Sequence, residues 1–476
     1  MLRNLLFVLC CLCLSVVKAQ DCDCAANLLW VKETFEKNDA GFEHIVNRKG
    51  EIAYAAHHKN MAEKAATITD YDSCQSLLED WLKFFRMDHF RLTKAKAAQE
   101  KQVQASIWWP RFVTTAIDTI AFKTSLSKKA VADIEGIWQN PHVRIAVKKT
   151  EKGFEGSILA ATGGWKKGQL IFELDAALQS GTRFYSTFQP VAVKKIQAMD
   201  GNLLLVDQLT FQRAYPLAPL DEGSAAFYRL KNSAATYAYK RDDQTVYLRI
   251  PSFSFNKKAI DSVLTAFDAT IRSCPNLIID LRDCQGGQDN NFAKLLPYIA
   301  TGTMRTVMAE VRSTDKNNEV WDKLINSDET DEEEKAAYRA IQAKLNAHLG
   351  DYVNIFGQDV VVGKKVSTMP YPKNVGIIIH ENNFSTTEQF ILAAKQSRKV
   401  KFFGRKTGGA LDVSNMVEAI SPTGDFIFEY CISRSLRIPE MAVDDLGIHP
   451  DFYLDKSIPE NRWIDFVQER LNEWTP

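Results

Sequence analysis

The chain has 476 residues, of which 45% are hydrophobic. This length and composition predict a globular protein with two or three packed domains. The 59 lysine and arginine residues are balanced by 59 aspartate and glutamate residues, so charge gives no support for nucleic-acid or anionic-membrane binding as the main activity.

The N-terminus has the order of a secretory signal. Arg3 precedes an apolar stretch from Leu5 to Val17, and Val17-Lys18-Ala19 ends it like a small-residue cleavage site. A membrane anchor is the alternative, but the apolar run is shorter than the roughly 20 residues that a spanning helix needs. We therefore expect residues 1–19 to be a cleaved signal peptide, with an exported protein that keeps no integral membrane segment.

Residues 20–126 are predicted to form a helical N-terminal domain. Apolar residues recur there at spacings of three and four, which is typical of amphipathic helices. The clearest run is Leu77, Leu78, Trp81, Leu82 and Phe85. Export permits disulfide bonds, and Cys22, Cys24 and Cys74 are close enough in sequence to staple this domain, although the sequence leaves the pairing open.

Residues 127–220 are predicted to form an antiparallel β domain, with a small barrel as one option. Short alternating runs such as 143–147 and 168–172 are separated by Gly and Asn turns. Nothing in this segment specifies a ligand.

From Tyr237 onward, strand-like runs alternate with helical ones. The apolar runs 246–250, 277–281, 375–379 and 400–403 predict a parallel sheet that helices cover on both faces. Residues 237–460 would form this α/β core, followed by a C-terminal helix at 461–476. Residues 315–349 would form a solvated helical insertion. The predicted fold class is therefore multidomain α+β.

The first loop that can carry chemistry follows the strand that ends at Leu281. It reads Arg282-Asp283-Cys284-Gln285-Gly286-Gly287 and precedes a predicted helix at 292–298. Paired glycines let a backbone turn sharply and direct amide hydrogens at one point, as an oxyanion hole requires. The alternative is an ordinary strand-to-helix turn.

The second loop leaves the strand at 375–379 and presents Ser385 just before a predicted helix. Amide groups at a helix N-terminus favour a developing negative charge, so a serine placed there can act as a nucleophile. The alternative is purely structural, because Ser385 followed three residues later by Glu388 also fits a capping box.

Four stretches in the second half of the chain resemble motifs of the tricorn and C-terminal-processing family of serine peptidases. Leu277–Gly287 is similar to the "LRDNGGG" turn, and Asn383–Glu388 to the "S-A-S-E" nucleophile turn. Gly404–Gly409 is similar to "GEKTFG", and Gly447–Asp451 to "G-V-x-P-D". They occur in the family's order between residues 237 and 456. The resemblance implies a crotonase-like α/β peptidase core with Ser385 as the nucleophile.

The family has two catalytic designs. One uses a lysine base, but the aligned position here is Ala410, and the nearby Lys406 matches a lysine of the common pattern. The tricorn design uses a histidine from an earlier segment, and Trp81–His89 resembles its "FFxDGH" stretch. The resemblance therefore implies His89 as the base, with a Ser385–Lys406 pair as a weaker alternative.

The remaining site residues also follow from this resemblance. Asp444 stands where the tricorn pattern has its glutamate and would support the histidine, with Asp445 as the neighbouring alternative. A histidine exchanges a proton near neutral pH, and a carboxylate can stabilise the imidazolium that forms. The backbone amides of Gly286 and Thr386 would bind the oxyanion.

These features predict an exported serine endopeptidase that acts on polypeptides or peptides, with no cofactor, no metal and no nucleic-acid partner. A non-catalytic protein on the same core, binding a peptide or an apolar ligand, is the alternative. This non-catalytic alternative is based on three residues that depart from the family pattern, Cys284, Gln285 and Asp88. Asn383-Phe384-Ser385 is a glycosylation sequon beside the proposed nucleophile, so we expect a bacterial envelope, periplasmic or secreted, rather than a eukaryotic export pathway.

Overall fold

A computed structural model of the chain describes residues 22–95, 117–128, 133–363 and 368–474. The predicted signal peptide at 1–19 lies outside these residues. The chain forms two compact units, each assembled from segments that are far apart in sequence. The first unit contains the described parts of residues 1–108, 310–355 and 413–434, and the second contains those of 109–309, 356–412 and 435–476. By contrast, each domain predicted from the sequence is a single continuous stretch of chain.

The helices begin where the sequence offers caps. Asp23, Asp70 and Asp221 each accept a hydrogen bond from a backbone N–H two or three residues into the following helix. In chain order the described helices are α1 (Cys24–Asn38), α2 (Phe42–Lys49), α3 (Glu51–Ala65), α4 (Tyr71–Leu82), α5 (Thr119–Leu126), α6 (Glu222–Asn232), α7 (Lys257–Ile271), α8 (Leu296–Ile299), α9 (Asp315–Ile325), α10 (Glu332–Asn346), α11 (Thr386–Ala394) and α12 (Trp463–Glu473). A 3-10 helix (Asp289–Leu295) precedes α8, and a second one (Glu460–Arg462) precedes α12.

The described strands lie in four sheets. In chain order the described strands are β1 (Arg91–Lys94), β2 (Gly136–Gln139), β3 (Val143–Lys149), β4 (Gly153–Ala161), β5 (Leu170–Asp175), β6 (Gly181–Phe184), β7 (Pro190–Ala192), β8 (Ile196–Met199), β9 (Leu203–Val206), β10 (Leu209–Tyr215), β11 (Tyr237–Lys240), β12 (Thr245–Arg249), β13 (Asn276–Asp280), β14 (Arg305–Val307), β15 (Ala309–Arg312), β16 (Tyr352–Val353), β17 (Val360–Val362), β18 (Asn374–Ile379), β19 (Val400–Gly404), β20 (Val413–Ile420), β21 (Phe426–Ser435) and β22 (Phe452–Tyr453).

The first unit combines α1–α4, α9 and α10 with a five-stranded sheet of order β1-β21-β15-β16, in which β20 also pairs with β21. Aromatic side chains, including Phe35, Trp81 and Phe85, are completely buried in its core. A disulfide bond joins Cys24 to Cys74 and so links α1 to α4. The stretch 315–349 is helical as predicted, but it belongs to this unit rather than to the α/β core.

The second unit contains a nine-stranded antiparallel sheet of order β7-β6-β5-β4-β3-β2-β10-β9-β8. Val143, Ile145 and Val147 of β3 pack into one hydrophobic cluster, whereas Ala146 packs into another, as the two-residue period of a strand requires. The antiparallel prediction is confirmed. Among the described strands, β7 and β8 are the two ends of the hydrogen-bonded order, so the optional closed barrel is not formed by strand pairing.

The second unit also contains a six-stranded sheet of order β11-β12-β13-β18-β19-β22, and all its neighbouring pairs are parallel except β11 with β12. Leu277 and Ile279 of β13 pack into the core on one face, whereas Ile278 packs with Trp463 of α12 on the other. The prediction of a parallel sheet covered on both faces is confirmed, and with it the multidomain α+β class. None of the helices in the described parts of the chain has the length and apolar character needed to cross a membrane.

Candidate active site

Two neighbouring parallel strands supply the turns that the sequence singled out. In the pairing of β13 with β18, Asp280 lies opposite Ile378. The glycine turn (residues 282–287) follows β13, and the serine turn (residues 381–385) follows β18. Because parallel strands end at the same edge of a sheet, the two turns lie side by side.

A buried ion pair fixes the start of the glycine turn. The Arg282 guanidinium donates hydrogen bonds of 2.6–3.1 Å to the Asp280 carboxylate and one of 2.6 Å to the Glu460 carbonyl. Burial alone would raise the pKa of Asp280, but the Arg282 charge and hydrogen bonds hold that pKa below its usual value. These contacts therefore fix the first residue of the glycine turn to the end of β13.

Gly286 lies close against the serine turn. Its φ of 114° is open to glycine but costly for other residues. A Cβ added at this position would lie 2.8 Å from the Phe384 carbonyl oxygen, 3.0 Å from the Ser385 Cβ and 3.1 Å from the Thr386 nitrogen. The structure thus brings together three predicted site residues, Gly286, Ser385 and Thr386.

Ser385 has a strained backbone at the start of α11. Its φ is 55° and its ψ is −126°, an unusual conformation for a residue with a side chain. Its N–H donates to the Ala410 carbonyl at 2.8 Å, and its side chain makes no capping hydrogen bond to the helix. The structural alternative of a Ser385 capping box is therefore wrong.

Glu388, the other half of that alternative, holds a neighbouring loop. Its carboxylate accepts hydrogen bonds from the Thr407 hydroxyl at 2.5 Å and from the backbone N–H groups of Gly409 and Ala410, both at 2.9 Å. Burial raises the pKa of Glu388, while these donors oppose the increase. Since Ala410 also accepts from Ser385, Glu388 positions the segment against which the serine turn rests.

The residue Asn383 joins the serine turn to the glycine turn. Its side chain is completely buried, and its Nδ2 donates to the carbonyl oxygens of Leu281 at 2.6 Å and Cys284 at 3.0 Å. Its Oδ1 accepts from the His380 N–H at 2.7 Å. A glycan on this amide is incompatible with these contacts. Sequence analysis placed Asn383 in the nucleophile motif and in a sequon, but it missed the structural role of the Asn383 side chain.

The departures from the family pattern in the glycine turn leave it intact. Cys284 is completely buried, and its sulfur accepts a hydrogen bond from the Thr387 hydroxyl at 3.2 Å. Gln285 is exposed. Cys284 thus contacts α11 through Thr387, and the exposed Gln285 does not occupy the buried space between Gly286 and Ser385.

The predicted carboxylate Asp444 is buried in the second unit. Its Oδ1 accepts from the backbone N–H groups of Leu411 at 2.6 Å and Asp412 at 2.7 Å. The Asp412 carboxylate in turn accepts from the Asp444 N–H at 2.8 Å. Asp445 has a φ of 65° and donates its N–H to the Gly409 carbonyl at 3.0 Å. Asp412 had no role in the sequence analysis, although it lies only two residues after Ala410.

Lys406, the base of the weaker alternative, is an exposed residue. Catalytic lysines depend on burial or nearby cations to lose their proton near neutral pH. This exposed position therefore gives no structural support to a Ser385–Lys406 pair.

The structure places His89 in the first unit, within a histidine turn that we define as residues 86–89. His89 is 8% exposed and has a φ of 58°. Its Nδ1 lies 2.5 Å from the Val413 carbonyl oxygen. Because a carbonyl can only accept, Nδ1 carries the proton and Nε2 is the acceptor of the neutral ring. Burial lowers the pKa of His89, which favours this neutral form.

A buried ion pair holds the histidine turn. The Arg86 guanidinium binds both Asp39 oxygens, at 2.8 and 2.6 Å, and donates to the His89 carbonyl at 2.9 Å. Asp88, the residue that departs from the family pattern, accepts from the His89 N–H at 2.6 Å. Sequence analysis missed Asp39, since nothing in its local sequence distinguishes it from a surface aspartate.

Comparisons with known proteins agree with the motifs. The model of Peptidase family S41 matches residues 244–454. No curated protein matches the chain. A crystal structure of a CPAF mutant is 12% identical, with 95% of this chain and 98% of that chain covered and a TM-score of 0.50. The photosystem II D1 C-terminal processing protease is 10% identical, with coverages of 92% and 95% and a TM-score of 0.37. The tricorn protease is 10% identical, with coverages of 95% and 37% and a TM-score of 0.41.

The α/β core, which holds the serine-bearing turn, matches the model of Peptidase family S41 over residues 244–454. This match supports a serine-type peptidase, a hydrolase. The resemblance identified in the sequence motifs is confirmed at this level. The tricorn-like choice of catalytic residues stays a prediction.

Proposed function

We propose that this protein is an exported serine endopeptidase that hydrolyses polypeptides through an acyl-enzyme on Ser385. One observation carries the proposal: Ser385 has a φ of 55° beside Gly286, and its side chain makes no capping hydrogen bond to the helix. Such a backbone costs about 1–3 kcal/mol and persists where the surroundings impose it, which occurs often at active sites. A serine on a strained strand-to-helix turn is also the geometry of a nucleophile elbow.

In the proposed reaction, the Ser385 hydroxyl oxygen attacks the peptide carbonyl carbon while His89 Nε2 accepts the hydroxyl proton. The carbonyl oxygen becomes an oxyanion, which the N–H groups of Gly286 and Thr386 bind. Thr386 opens α11, so its N–H is among those that lack an acceptor within the helix. The C–N bond then breaks, and the leaving amine takes the proton from His89. Water, activated by His89, hydrolyses the acyl-enzyme by the reverse sequence of proton transfers.

The state of His89 supports its proposed role as the base. A general base must be neutral and must direct a lone pair at the proton that it accepts. The Val413 carbonyl fixes the proton on Nδ1, and burial lowers the pKa of the ring. Both effects favour a neutral His89 with Nε2 as its acceptor atom.

We assign Asp444 a supporting role that acts through the backbone. Its carboxylate holds the N–H groups of Leu411 and Asp412, and Val413 follows directly in the chain. Asp444 would thus fix the segment leading to the carbonyl that orients His89. Asp445 is the alternative carboxylate.

The proposal of export draws on two features. The N-terminal residues have the pattern of a signal peptide. The Cys24–Cys74 disulfide bond is of the kind that persists in an oxidising compartment. We propose a periplasmic or secreted location in a bacterial envelope.

The test is labelling of the folded protein with a fluorophosphonate serine probe, followed by peptide mapping. We expect labelling at Ser385 that is lost in Ser385→Ala. It should persist in Ser273→Ala, which removes a hydroxyl at the far end of α7. Unlabelled but folded wild-type protein would contradict the proposal and favour a non-catalytic binding protein.

A further inference from the structure

A cavity of about 980 Å³ lies in the second unit. One wall comes from the nine-stranded sheet and includes Arg183, Lys194 and Asp207. Other lining residues come from the α/β core and include Arg249 and Gln285, the residue before Gly286. This volume is at the upper end of the range for small-molecule sites, which suits a peptide segment. The cavity therefore reaches the glycine turn from the side of the β domain.

The carboxylates of this cavity already have cationic partners. Asp207 accepts from Arg183 at 3.4 Å and from the Lys194 N–H at 2.8 Å. Asp283 pairs with Lys231 at 2.5 Å. Burial would raise the pKa of Asp283, but the Lys231 charge outweighs it and holds that pKa well below its usual value. The third carboxylate of the lining, Glu381, pairs with Arg405 at 3.1 Å.

Two cations in the lining, Lys194 and Arg249, form no ion pair with a carboxylate of the described residues. Lys194 is exposed, and its ammonium makes no hydrogen bond or ion pair within the part of the chain that the structure describes. Arg249 is only 2% exposed; its Nη1 donates to the carbonyls of Ile250 at 2.8 Å and Asp280 at 3.0 Å. Its Nε has no partner among the described residues. The Arg249 charge acts on the Asp280 carboxylate, which already binds Arg282. The lining holds five lysine or arginine residues and three aspartate or glutamate residues, so its excess of positive charge favours an anionic ligand.

We propose that this cavity binds acidic side chains of the polypeptide substrate, on the proposed function of the protein as a peptidase. Lys194 belongs to the nine-stranded sheet region and Arg249 to the α/β core, so a segment with more than one carboxylate can engage both, whereas a single terminal carboxylate engages one. Aspartate and glutamate residues in the substrate would then align the chain along the approach to Gly286. The site determines specificity, not catalysis.

Binding can be measured without turnover by using the full-length Ser385→Ala protein and fluorescence anisotropy. The first probe is a glutamate- and aspartate-rich peptide with acetylated and amidated ends, and the second is a neutral peptide with a free C-terminal carboxylate. We expect the acidic peptide to bind more tightly and its affinity to fall as salt is added. Tighter binding of the neutral peptide would overturn the assignment to side chains and favour a terminal carboxylate.

The matched variants are Lys194→Glu and Lys167→Glu, both charge reversals at exposed positions of the nine-stranded sheet region, of which only Lys194 lines the cavity. Lys194→Glu should weaken binding of the acidic peptide roughly five- to tenfold, and Lys167→Glu should leave it unchanged. Arg249→Gln should weaken it further if the variant folds, as judged by circular dichroism. Equal affinities for the Lys194 and Lys167 variants would overturn the proposal.

This outcome is separable from that of the fluorophosphonate experiment. Binding of the acidic peptide without labelling of Ser385 would support the proposed binding site in the cavity and contradict the proposed peptidase activity. Labelling of Ser385 without preferential binding of the acidic peptide would support the peptidase activity and contradict the role of the cavity in substrate specificity.

Discussion

The serine turn and the histidine turn impose similar backbone strain by different means. Ser385 has a φ of 55° and His89 a φ of 58°. The serine turn is held by neutral hydrogen bonds that converge on the Asn383 amide. The histidine turn is held by the buried ion pair of Asp39 and Arg86. The two networks should therefore respond differently to loss of one partner, because a neutral group left unpaired costs less than a buried charge.

The largest expected effect is a loss of activity, and it tests whether the strained histidine turn has a catalytic role. His89→Ala should lower kcat/KM for a peptide substrate by roughly 10³-fold or more, because the serine loses its base. Loss of fluorophosphonate labelling in this variant is the most direct measurement. Full labelling of His89→Ala, together with lost labelling in Lys406→Ala, would instead identify the lysine as the base and leave the strain at His89 structural.

The next effect is on stability and concerns the ion pair. Asp39→Asn removes the carboxylate charge that binds the buried Arg86 guanidinium, so the free energy of unfolding should fall by about 3–5 kcal/mol. Urea denaturation would measure it. Asp80→Asn is the control, since it breaks an exposed pair with Lys83 at 2.8 Å and should cost about 0–1 kcal/mol. Similar losses in both variants would show that the histidine turn does not depend on its ion pair.

A third substitution tests the contact between the glycine and serine turns. Gly286→Ala forces a Cβ towards the Phe384 carbonyl and the Ser385 Cβ at a φ of 114°. Displacing one oxyanion donor should reduce kcat by roughly 10²–10³-fold. Gly302→Ala, where an added Cβ meets nothing within 4 Å, is the control and should retain activity. Unchanged kcat in Gly286→Ala would remove Gly286 from the oxyanion site.

The smallest effect is on the pH dependence of stability. In the unfolded chain His89 takes up a proton near its ordinary pKa of 6.5, whereas in the folded protein burial lowers that pKa. Between these two values the unfolded state binds more protons, so the free energy of unfolding decreases as the pH falls below 6.5. The decrease is about 1.4 kcal/mol for each unit of pKa difference.

Burial also lowers the pKa values of His57 and His58, so the measurement must compare two proteins. Denaturation of wild type and His89→Gln between pH 8 and pH 5 isolates the contribution of His89. A difference between the two that is independent of pH would show that His89 does not change its proton affinity on folding.

The sequence predicts the parts of this fold that depend on local pattern. The apolar runs at 246–250, 277–281, 375–379 and 400–403 became β12, β13, β18 and β19, because side chains buried on both faces leave a continuous apolar signature. Ser385 could be proposed from its turn, but the sequence could not exclude a capping box. The two interpretations differ only in the backbone conformation of Ser385, which no residue pattern encodes.

The contacts around His89 were beyond prediction for a different reason. Asp39 lies 47 residues from Arg86, and Val413 lies 324 residues from His89. The Val413 contact uses a backbone carbonyl, so no side chain signals it. The first unit is assembled from three separate stretches of chain, and contacts between such stretches arise only on folding.

The buried amide of Asn383 has a practical consequence for the choice of expression host. Oligosaccharyltransferase in a eukaryotic secretory host would encounter Asn383-Phe384-Ser385 on the nascent chain before folding conceals it. Modified chains could not dock the serine turn, so yields of native protein should fall. Ser385→Ala also destroys the sequon, whereas Ser385→Thr keeps it. In such a host the alanine variant would accumulate better than wild type for a reason unrelated to catalysis, and a bacterial host removes that confusion.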